Sequence, residues 1–322
     1  MINENLLKKL RGKKNLLAFS AGVDSSALFF VLKEKDIDFD CAIVNYKLRS
    51  EADLEAKYAL ELCEKFNKKR YCLEAKLDNK NFEANARKIR YDFFEKLIAE
   101  HNYDNLLTAH QLNDWFEWFL MRAANGAGFF ELCGMSEVED RANYKLIRPF
   151  LRIPRDQIES YNERNKIKFF TDKSNSELKH TRNKFRKKWA NEIIKEYANG
   201  IKQTAIYLDN DRQKFAKTAI KNFEKLYIID RYFVGSTHAA DQAIKKLGNL
   251  LTKNERKLLE DHQNFIAARK IAIGFNEKYI FIAPFIKISL PKKFKELCRI
   301  RKIPPQIRSY LFEINFDFNK IA

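Results

Sequence analysis

The chain has 322 residues, enough for a large hydrophobic core and two or more domains, and its 61 Lys and Arg against 43 Asp and Glu give a net charge of +18. This basic excess favours a polyanionic partner bound through phosphate contacts, although a coding bias toward lysine would also produce it. No apolar run reaches about 18 residues, and the N-terminus lacks a basic segment followed by an apolar one, which predicts a cytoplasmic protein that does not enter a membrane.

The first predicted strand, Leu16 to Ala18, runs into a turn of small residues and then into a helix over 26–35. The turn, Ser20-Ala21-Gly22-Val23-Asp24-Ser25, leaves room for an anion beside the N–H groups of the helix start. The carboxylate of Asp24 would repel a bare phosphate, whereas Mg²⁺ can bridge carboxylate and phosphate oxygens. We therefore predict a nucleotide and Mg²⁺ at this turn, with an ordinary β-α turn capped by Ser and Asp as the alternative.

Strands and helices then alternate through the first half of the chain. The further predicted strands are 41–44, 71–75 and 105–109, and the further predicted helices are 50–66, 82–99 and 113–124. Four alternations predict an α/β fold with a doubly wound, mostly parallel sheet. The fourth strand delivers His110 at its C-terminal end, where ligands bind in such sheets. The loop 125–128 is predicted to close over a substrate.

The second half of the chain is more basic and more helical. A helix is predicted from Pro154 to Asn165, and the acid-free segment 179–188 could grip phosphates and stack on a base, with a solvated helix start as the alternative. The predicted domains are 1–198, a helical domain over 199–268 that includes a long helix pair, and a small α+β segment over 269–322. Within that last segment we predict a hairpin at 271–285 and a helix at 294–301, ended by two prolines.

The turn after the first strand resembles the S-G-G-x-D-S loop of the N-type ATP pyrophosphatases, which cleave ATP to AMP and pyrophosphate while activating an oxygen. It matches neither a Walker loop nor G-x-G-x-x-G. Ala21 replaces the middle glycine, at a cost of about 1 kcal/mol if the backbone there has positive φ. The resemblance implies an adenine nucleotide alpha hydrolase-like fold. It also implies an ATP site formed by Ser20, Ala21, Gly22, Val23, Asp24 and Ser25.

Four further stretches resemble the tRNA(Ile)-lysidine synthase family, whose members attach lysine to C2 of an anticodon cytidine at the expense of ATP. They are a D-H-G-L-R-like segment at 45–49, N-x-E-x-x-A-R-x-x-R-Y at 81–91, T-A-H-x-x-D-D-x-x-E at 108–117, and R-P-L-L, D-x-S-N and R-N-x-x-R in series at 148–151, 172–175 and 182–186. Asn45, Tyr46, Lys47 and Asn113 depart from the family pattern.

The family resemblance implies four catalytic residues. Asp24 and Asp114 would hold Mg²⁺, and Arg90 would neutralise charge on the reacting phosphate. His110 would position or neutralise the adenylated base, and Asp114 would orient the lysine amine and accept its proton. Without the resemblance, a salt-bridged helix face is the alternative for Arg90, and a structural side chain is the alternative for His110.

The resemblance also implies the partners: ATP, free L-lysine and tRNA(Ile) with a CAU anticodon. The predicted tRNA-binding residues are Arg182, Lys184, Arg186 and Lys187, although Arg182 could instead pair with a carboxylate inside the protein, such as Asp172. Rival functions are a tRNA thiolase or amidating synthetase with the same ATP loop, and a noncatalytic RNA-binding protein. The five cysteines include no C-x-x-C pair, which disfavours sulfur transfer. The oligomeric state stays open, a homodimer included.

Overall fold

A computed structural model describes residues 2–47, 50–75, 82–170, 181–216 and 220–321 of the chain. The chain divides into two compact units, Met1–Asp209 and Asn210–Ala322. Within the described ranges, no helix combines the length and apolar character needed to cross a membrane.

A six-stranded sheet with helices on both faces forms the first unit. Its strands are β1 (Asn15–Ala18), β2 (Asp40–Asn45), β3 (Arg70–Glu74), β4 (Asn105–Leu107), β5 (Val138–Asp140) and β6 (Lys145–Ile147). The strand order is β3-β2-β1-β4-β6-β5, and all neighbours are parallel except the antiparallel pair β5 and β6. The predicted doubly wound, mostly parallel sheet is confirmed, and the β5–β6 hairpin is an addition to it.

The helices of the first unit follow the predicted alternation, with an extra helix at the N-terminus and a short extra helix after the loop 125–128. They are α1 (Glu4–Leu10), α2 (Val23–Glu34), α3 (Ser50–Lys65), α4 (Phe82–His101), α5 (Leu112–Ala124), α6 (Phe129–Leu132), α7 (Arg155–Arg164) and α8 (Thr181–Phe185). A π-helical turn, Arg186–Ala190, leads from α8 into α9 (Asn191–Ala216), whose last residues, from 210 on, belong to the second unit. The loop 125–128 lies between α5 and α6, and its closure over a substrate stays a prediction.

Strand β1 lies in the middle of the sheet because its side chains are buried on both faces. Leu16 belongs to the hydrophobic cluster that contains Phe94 of α4, whereas Leu17 belongs to the cluster that contains Leu28 of α2. Successive strand residues point to opposite faces, so a central strand of a parallel sheet needs an unbroken apolar run. The strand order reverses between β1 and β4, which places a ligand crevice at the C-terminal ends of these two strands.

The second unit contains an antiparallel sheet as well as helices, which corrects the predicted helical domain over 199–268. Its strands are β7 (Ile220–Phe223), β8 (Leu226–Asp230), β9 (Phe265–Ala267), β10 (Ile271–Phe275) and β11 (Tyr279–Pro284), in the antiparallel order β7-β8-β11-β10-β9. Its helices are α10 (Ser236–Lys246), α11 (Lys253–Glu260), α12 (Lys292–Ile300) and α13 (Pro305–Glu313). The predicted hairpin at 271–285 and helix at 294–301 are confirmed as β10–β11 and α12.

The sequence prediction failed at β8 because four of its five residues are buried. Ile228 packs in the cluster with Leu311 of α13, and Ile229 packs in the cluster with Ile244 of α10. A strand buried on both faces shows no alternation, so periodicity cannot separate it from a buried helix. The predicted boundary at 198/199 falls inside α9, and the one at 268/269 separates β9 from β10. The assignment of 199–268 to tRNA binding stays a prediction.

Gly274 of β10 marks a close approach between the second sheet and α13. A Cβ at Gly274 would lie 2.5 Å from the Cβ of Pro304, a separation at which one of the two elements has to move. Pro304 is the N-cap residue of α13 and Pro305 is its first residue. The two prolines predicted to end α12 therefore begin the next helix, a position that suits proline.

Candidate active site

A cavity of about 400 Å³ opens at the C-terminal ends of β1, β2 and β4. The residues that line it include Ser20, Gly22, Val23, Asp24, Ser25, Tyr46, Glu55, Arg90, Tyr91, Thr108, His110, Asp114, Arg155 and Phe170. The structure therefore brings all four predicted catalytic residues to one cavity. It also brings there every residue of the predicted ATP turn except Ala21.

The turn after β1 is held by hydrogen bonds among its own residues. The Ser20 N–H donates to the Ser25 hydroxyl at 3.3 Å, the hydroxyls of Ser20 and Ser25 lie 3.1 Å apart, and the Ser25 hydroxyl donates to the Gly22 carbonyl at 3.3 Å. The Phe170 N–H donates to the Ala21 carbonyl at 2.9 Å and tethers the turn from outside. Gly22 is the N-cap residue of α2, so the unpaired N–H groups of the first turn of α2 lie at the cavity.

Ala21, which stands where the family loop has its middle glycine, adopts a left-handed backbone conformation. Its φ is +56°, a region that costs an L-residue about 1 kcal/mol or more relative to glycine. Its side chain is fully buried in the cluster around α2. Burial of the methyl group therefore offsets part of the free-energy cost of the left-handed backbone.

Asp24 is a partly buried carboxylate on the first turn of α2. Burial, assisted by the charge of Asp114 and opposed by Arg155, raises the pKa of Asp24 to about 7. Its Oδ1 is buried and has no hydrogen-bond partner among the described residues. A buried carboxylate oxygen without a donor fits a divalent cation, because Mg²⁺ is bound through carboxylates and substrate phosphates.

The protein ligands for such a cation are few. In the parts of the chain that the structure describes, no group of three His, Cys, Asp or Glu side chains is arranged to hold a metal ion. Asp24 and Asp114 would therefore need phosphate oxygens and water to complete an octahedral Mg²⁺ shell, as is usual at nucleotide sites. The donor set fits a cation that arrives with the nucleotide.

Asp114 serves both the start of α5 and the cavity. Its Oδ2 accepts from the Gln111 N–H at 3.1 Å, and the Gln111 side chain accepts from the Asn113 N–H at 2.5 Å, which forms a capping box. Burial acts to raise the pKa of Asp114, but Arg182, His110 and the Gln111 N–H outweigh it and hold the pKa below its ordinary value. Asp114 is therefore a fixed negative charge in the cavity at neutral pH.

His110 is a neutral imidazole in this site. Its Nδ1 lies 2.9 Å from the Thr108 hydroxyl. Burial, opposed by Asp114 and assisted by Arg148, lowers the pKa of His110 to about 4. Since Nδ1 is engaged by Thr108, Nε2 is the ring nitrogen available to a ligand. The imidazole can position a ligand by a hydrogen bond, but it does not supply a positive charge at pH 7.

Of the two motif arginines on α4, Arg87 and Arg90, the second lines the cavity. The guanidinium of Arg87 instead lies over the ring of Tyr91, 4.9 Å from its centroid. The side chain of Glu83, the acidic residue of the same motif, lies outside the described residues. Arg90 is therefore the α4 cation placed to meet a phosphate.

Arg182 and Arg186, predicted to contact tRNA, lie against carboxylates of α5. Arg182 contacts Asp114 and donates from Nε to Glu117 Oε2 at 2.8 Å. Arg186 donates to both oxygens of Glu117, at 2.5 and 3.1 Å. Glu117 is only 1% exposed, so the two guanidinium groups are its counterions. This is the alternative in which Arg182 pairs inside the protein, with Asp114 and Glu117 as partners. Asp172 lies outside the described residues.

The other motif segments have separate positions. Lys184 and Lys187 are exposed, and their contact with tRNA stays a prediction. Arg148 of the R-P-F-L segment is buried and donates to the Ser136 carbonyl at 2.8 Å and to Glu139 at 3.0 Å, which is a structural role. The motif residues at 48–49 and 172–175 lie outside the described residues.

The departures from the family pattern at 45 and 46 form structural hydrogen bonds. The Asn45 side chain donates to Asp53 at 2.7 Å and accepts from the Lys47 N–H at 2.9 Å. The Tyr46 hydroxyl donates to the Ala86 carbonyl at 2.9 Å, which ties the end of β2 to α4. Of these two side chains, Tyr46 lines the cavity.

Asn113, Arg155 and Glu117 belong to the site and were not among the predicted site residues. The Asn113 side chain accepts from the Arg155 N–H at 3.1 Å and donates to Asn191 at 3.1 Å, joining α5 to α7 and α9. Arg155 lines the cavity and donates to Glu159 at 2.8 Å. Glu117 is the final residue of the T-A-H-x-x-D-D-x-x-E pattern, which was the available signal for it.

Comparison with known proteins agrees with this arrangement. Residues 2–193 match a family described as the PP-loop domain. The chain is 42% identical over 323 residues to the tRNA(Ile)-lysidine synthase of Campylobacter jejuni (strain RM1221), which covers 100% of this chain and 99% of that protein. It is 40% identical over 318 residues to the tRNA(Ile)-lysidine synthase of Wolinella succinogenes, with 96% of each chain covered.

A solved structure shares the fold at low sequence identity. It is the U34-tRNA thiolase NcsA from Methanococcus maripaludis with its 4Fe-4S cluster. The match has a TM-score of 0.52 at 18% identity and covers 66% of this chain and 74% of that one. At this identity the likeness supports the α/β fold of the first unit alone.

Proposed function

Because the chain belongs to the tRNA(Ile)-lysidine synthase family and forms lysidine in tRNA with ATP, we propose that its target is the wobble cytidine of the CAU anticodon of tRNA(Ile) and that it uses Mg²⁺. The observation that carries this proposal is the pair of carboxylates at one cavity. Asp24 has a buried oxygen without a donor, whereas Asp114 is held ionised by Arg182. Asp24 is therefore suited to bind a metal ion, and Asp114 is suited to bind an amine.

In the first half-reaction, the C2 oxygen of the cytosine attacks the α-phosphorus of ATP, an O–P bond forms and pyrophosphate leaves. The turn from Ser20 to Ser25 and the first N–H groups of α2 bind the phosphates. Arg90 faces the same space and stabilises the negative charge that develops there. Asp24 and Asp114 would hold Mg²⁺, which when bound neutralises charge on the phosphates.

In the second half-reaction, the ε-amine of free lysine attacks C2, a C–N bond forms, and AMP leaves with the C2 oxygen. Asp114 orients the amine and accepts its proton. Its low pKa suffices, because the attacking nitrogen becomes much more acidic as it gains positive charge. His110, with Nδ1 held by Thr108, positions the adenylated base through Nε2 and does not neutralise its charge.

The target base has to leave the anticodon stack to reach the cavity. Lys184 and Lys187, exposed on the segment whose Arg182 and Arg186 reach Glu117, would hold the phosphates of the anticodon loop. We expect this chemistry in the cytoplasm, and a homodimer is compatible with it.

Incorporation of radiolabelled lysine into unmodified tRNA(Ile) with a CAU anticodon tests the proposal. Incorporation should require ATP and Mg²⁺ and should release AMP and pyrophosphate. The matched control is the same tRNA with the wobble cytidine changed to uridine, which should accept no lysine. Pyrophosphate release that depends on a sulfur donor or on glutamine, instead of lysine, would support the rival thiolase or amidating synthetase.

A further inference from the structure

The segment from Lys184 to Trp189 has two faces with different roles. Its inner face carries Arg186, whose guanidinium pairs with the buried Glu117. Its outer face presents exposed cations and an exposed aromatic ring: Lys184, Lys187, Lys188 and Trp189. Residues 181–190 include no Asp or Glu, so no carboxylate of this segment offsets the positive charge.

The segment contains a π-helical turn, which affects which side chains lie on each face. It spans Arg186–Ala190, and the Asn191 N–H bonds the Arg186 carbonyl five residues earlier. Ala190 is fully buried and the Arg186 side chain is 15% exposed, whereas Trp189 is 43% exposed. Single π-helical turns are rare, have poorer hydrogen-bond geometry than an α-helix, and occur frequently at functional sites. The wider turn keeps Arg186 and Ala190 against the protein while Trp189 faces solvent.

The Trp189 ring is oriented by a neighbour. The ring of Phe185 lies 4.8 Å away, centroid to centroid, at an angle of 63°. Trp118 of α5 is exposed to a similar extent, 40%. However, the guanidinium of Arg122 lies 4.2 Å from its ring centroid and occupies one face of the ring. The two tryptophans thus have similar exposure and different environments, which makes Trp118 a matched control for Trp189.

We propose that Trp189 is a stacking platform for an unpaired base of the tRNA anticodon loop, with Lys184, Lys187 and Lys188 on the adjacent phosphates. An indole face stacks on any base, and lysines neutralise the backbone beside it. The platform adjoins the reaction cavity, because Arg186, three residues earlier, reaches Glu117 and Asp114 of α5. This inference rests on the proposed tRNA substrate and extends it to a positioning residue.

Trp189→Ala tests the platform by the Kd for unmodified tRNA(Ile), measured by filter binding. Loss of one base stack should weaken binding about tenfold, within the range measured for base–aromatic stacking. Trp189→Phe should restore binding to within about threefold of wild type. Trp118→Ala should stay within about twofold of wild type, because the Arg122 guanidinium already occupies one face of the Trp118 ring. The KM for ATP should not change in any of these variants. Wild-type tRNA affinity in Trp189→Ala, or an equal loss in Trp118→Ala, would overturn the proposal.

A fluorescence measurement decides the question if Trp189→Ala fails to fold. Trp118→Phe leaves Trp189 and the 1% exposed Trp115 as the two emitters. An RNA hairpin that carries the anticodon loop should quench this emission saturably, and a fully paired hairpin should not. Absence of quenching by the anticodon hairpin overturns the platform. Failure of wild-type lysine incorporation would instead overturn the proposed substrate, so the two failures are distinguishable.

Discussion

Arg182 donates from Nε to Oε2 of Glu117 at 2.8 Å, and Glu117 is only 1% exposed. The charge of Glu117 is thus taken out of water and compensated by Arg182 together with Arg186. A buried carboxylate is tolerated only when it is paired and hydrogen-bonded. The segment that follows residue 180 is therefore fixed to α5 by charge, and the basic character of this segment has an internal cause as well as a proposed external one.

Arg182→Ala should destabilise the protein by about 1–3 kcal/mol, because Arg186 is then the counterion that Glu117 keeps among the residues the structure describes. Urea unfolding measures the loss. Lys184→Ala, which removes an exposed side chain of the same segment, is the control and should stay within about 0.5 kcal/mol of wild type. The slope of log tRNA affinity against log salt should fall by about one unit for Lys184→Ala and should not change for Arg182→Ala. A salt slope that falls for Arg182→Ala and not for Lys184→Ala would show that Arg182 contacts the RNA.

Asp24→Asn should abolish adenylation while leaving tRNA affinity within a few fold. In the metal-free protein it should also be stabilising at pH 8, by about 1–3 kcal/mol, but not at pH 4. The sign follows from the pKa of Asp24, raised from 3.8 to about 7: the native state favours the protonated carboxyl, so stability is lost as pH rises through that interval. Thermal unfolding in EDTA at both pH values measures it. Equal effects at pH 4 and pH 8 would contradict the raised pKa.

His110 should remain neutral down to about pH 5, because burial lowers its pKa to about 4. NMR titration of the imidazole, with the signal assigned by its loss in His110→Gln, measures this directly. The depressed pKa also means that His110 contributes stability above pH 6.5 that is lost as pH falls toward 4. His110→Gln should therefore lose less stability than wild type between these two pH values. A titration midpoint near 6.5 would show that the ring is not desolvated.

Asp114→Asn should slow lysine transfer by at least about tenfold, because a positioned proton acceptor typically contributes about 10²–10⁴-fold. Adenylation should suffer less. The fold should persist, since an asparagine oxygen can still accept from the Gln111 N–H and cap α5. Single-turnover assays that separate adenylated tRNA from lysidine provide the measurement. A defect confined to adenylation would identify Asp114 as a metal ligand only.

Ala21→Gly should leave stability within about 1 kcal/mol of wild type, because relief of the positive φ opposes the loss of a buried methyl and the gain in unfolded-chain entropy. Ala21→Val should cost about 3 kcal/mol or more, since a β-branched residue fits neither the left-handed backbone nor the closed packing there. Urea unfolding compares the two. A strong stabilisation by glycine would mean that the methyl group gains little from burial.

The alternation of strands and helices in the first unit could be predicted from the sequence because each of these elements has a local signal, whereas α1 and the β5–β6 hairpin were not predicted. The apolar run at β1, the small-residue turn after it and the strand end at His110 are each defined by a few neighbouring residues. Asp24, Arg90, His110 and Asp114 could therefore be proposed as site residues, and all four line one cavity. Parallel strands make this possible, because their C-terminal ends meet along one edge.

The features that could not be predicted depend on distant partners. The ion pairs of Arg182 and Arg186 with Glu117 join residues more than 60 positions apart. In the sequence alone, a run of basic residues looks the same whether its partner is RNA or a buried carboxylate. Strand β8 was not predicted as a strand, because burial on both faces removed the alternation that identifies one. In both cases the information lies in the tertiary packing.

The approach of Pro304 to Gly274 has a consequence for how relatives of this chain diverge. A side chain at 274 would meet the proline ring at 2.5 Å, so position 274 cannot accept a larger residue while Pro304 stays in place. We expect the two positions to covary, with larger residues at 274 appearing only where the residue at 304 is smaller or α13 begins elsewhere. The constraint belongs to this pair of positions, and the 29 residues between them can change without affecting it.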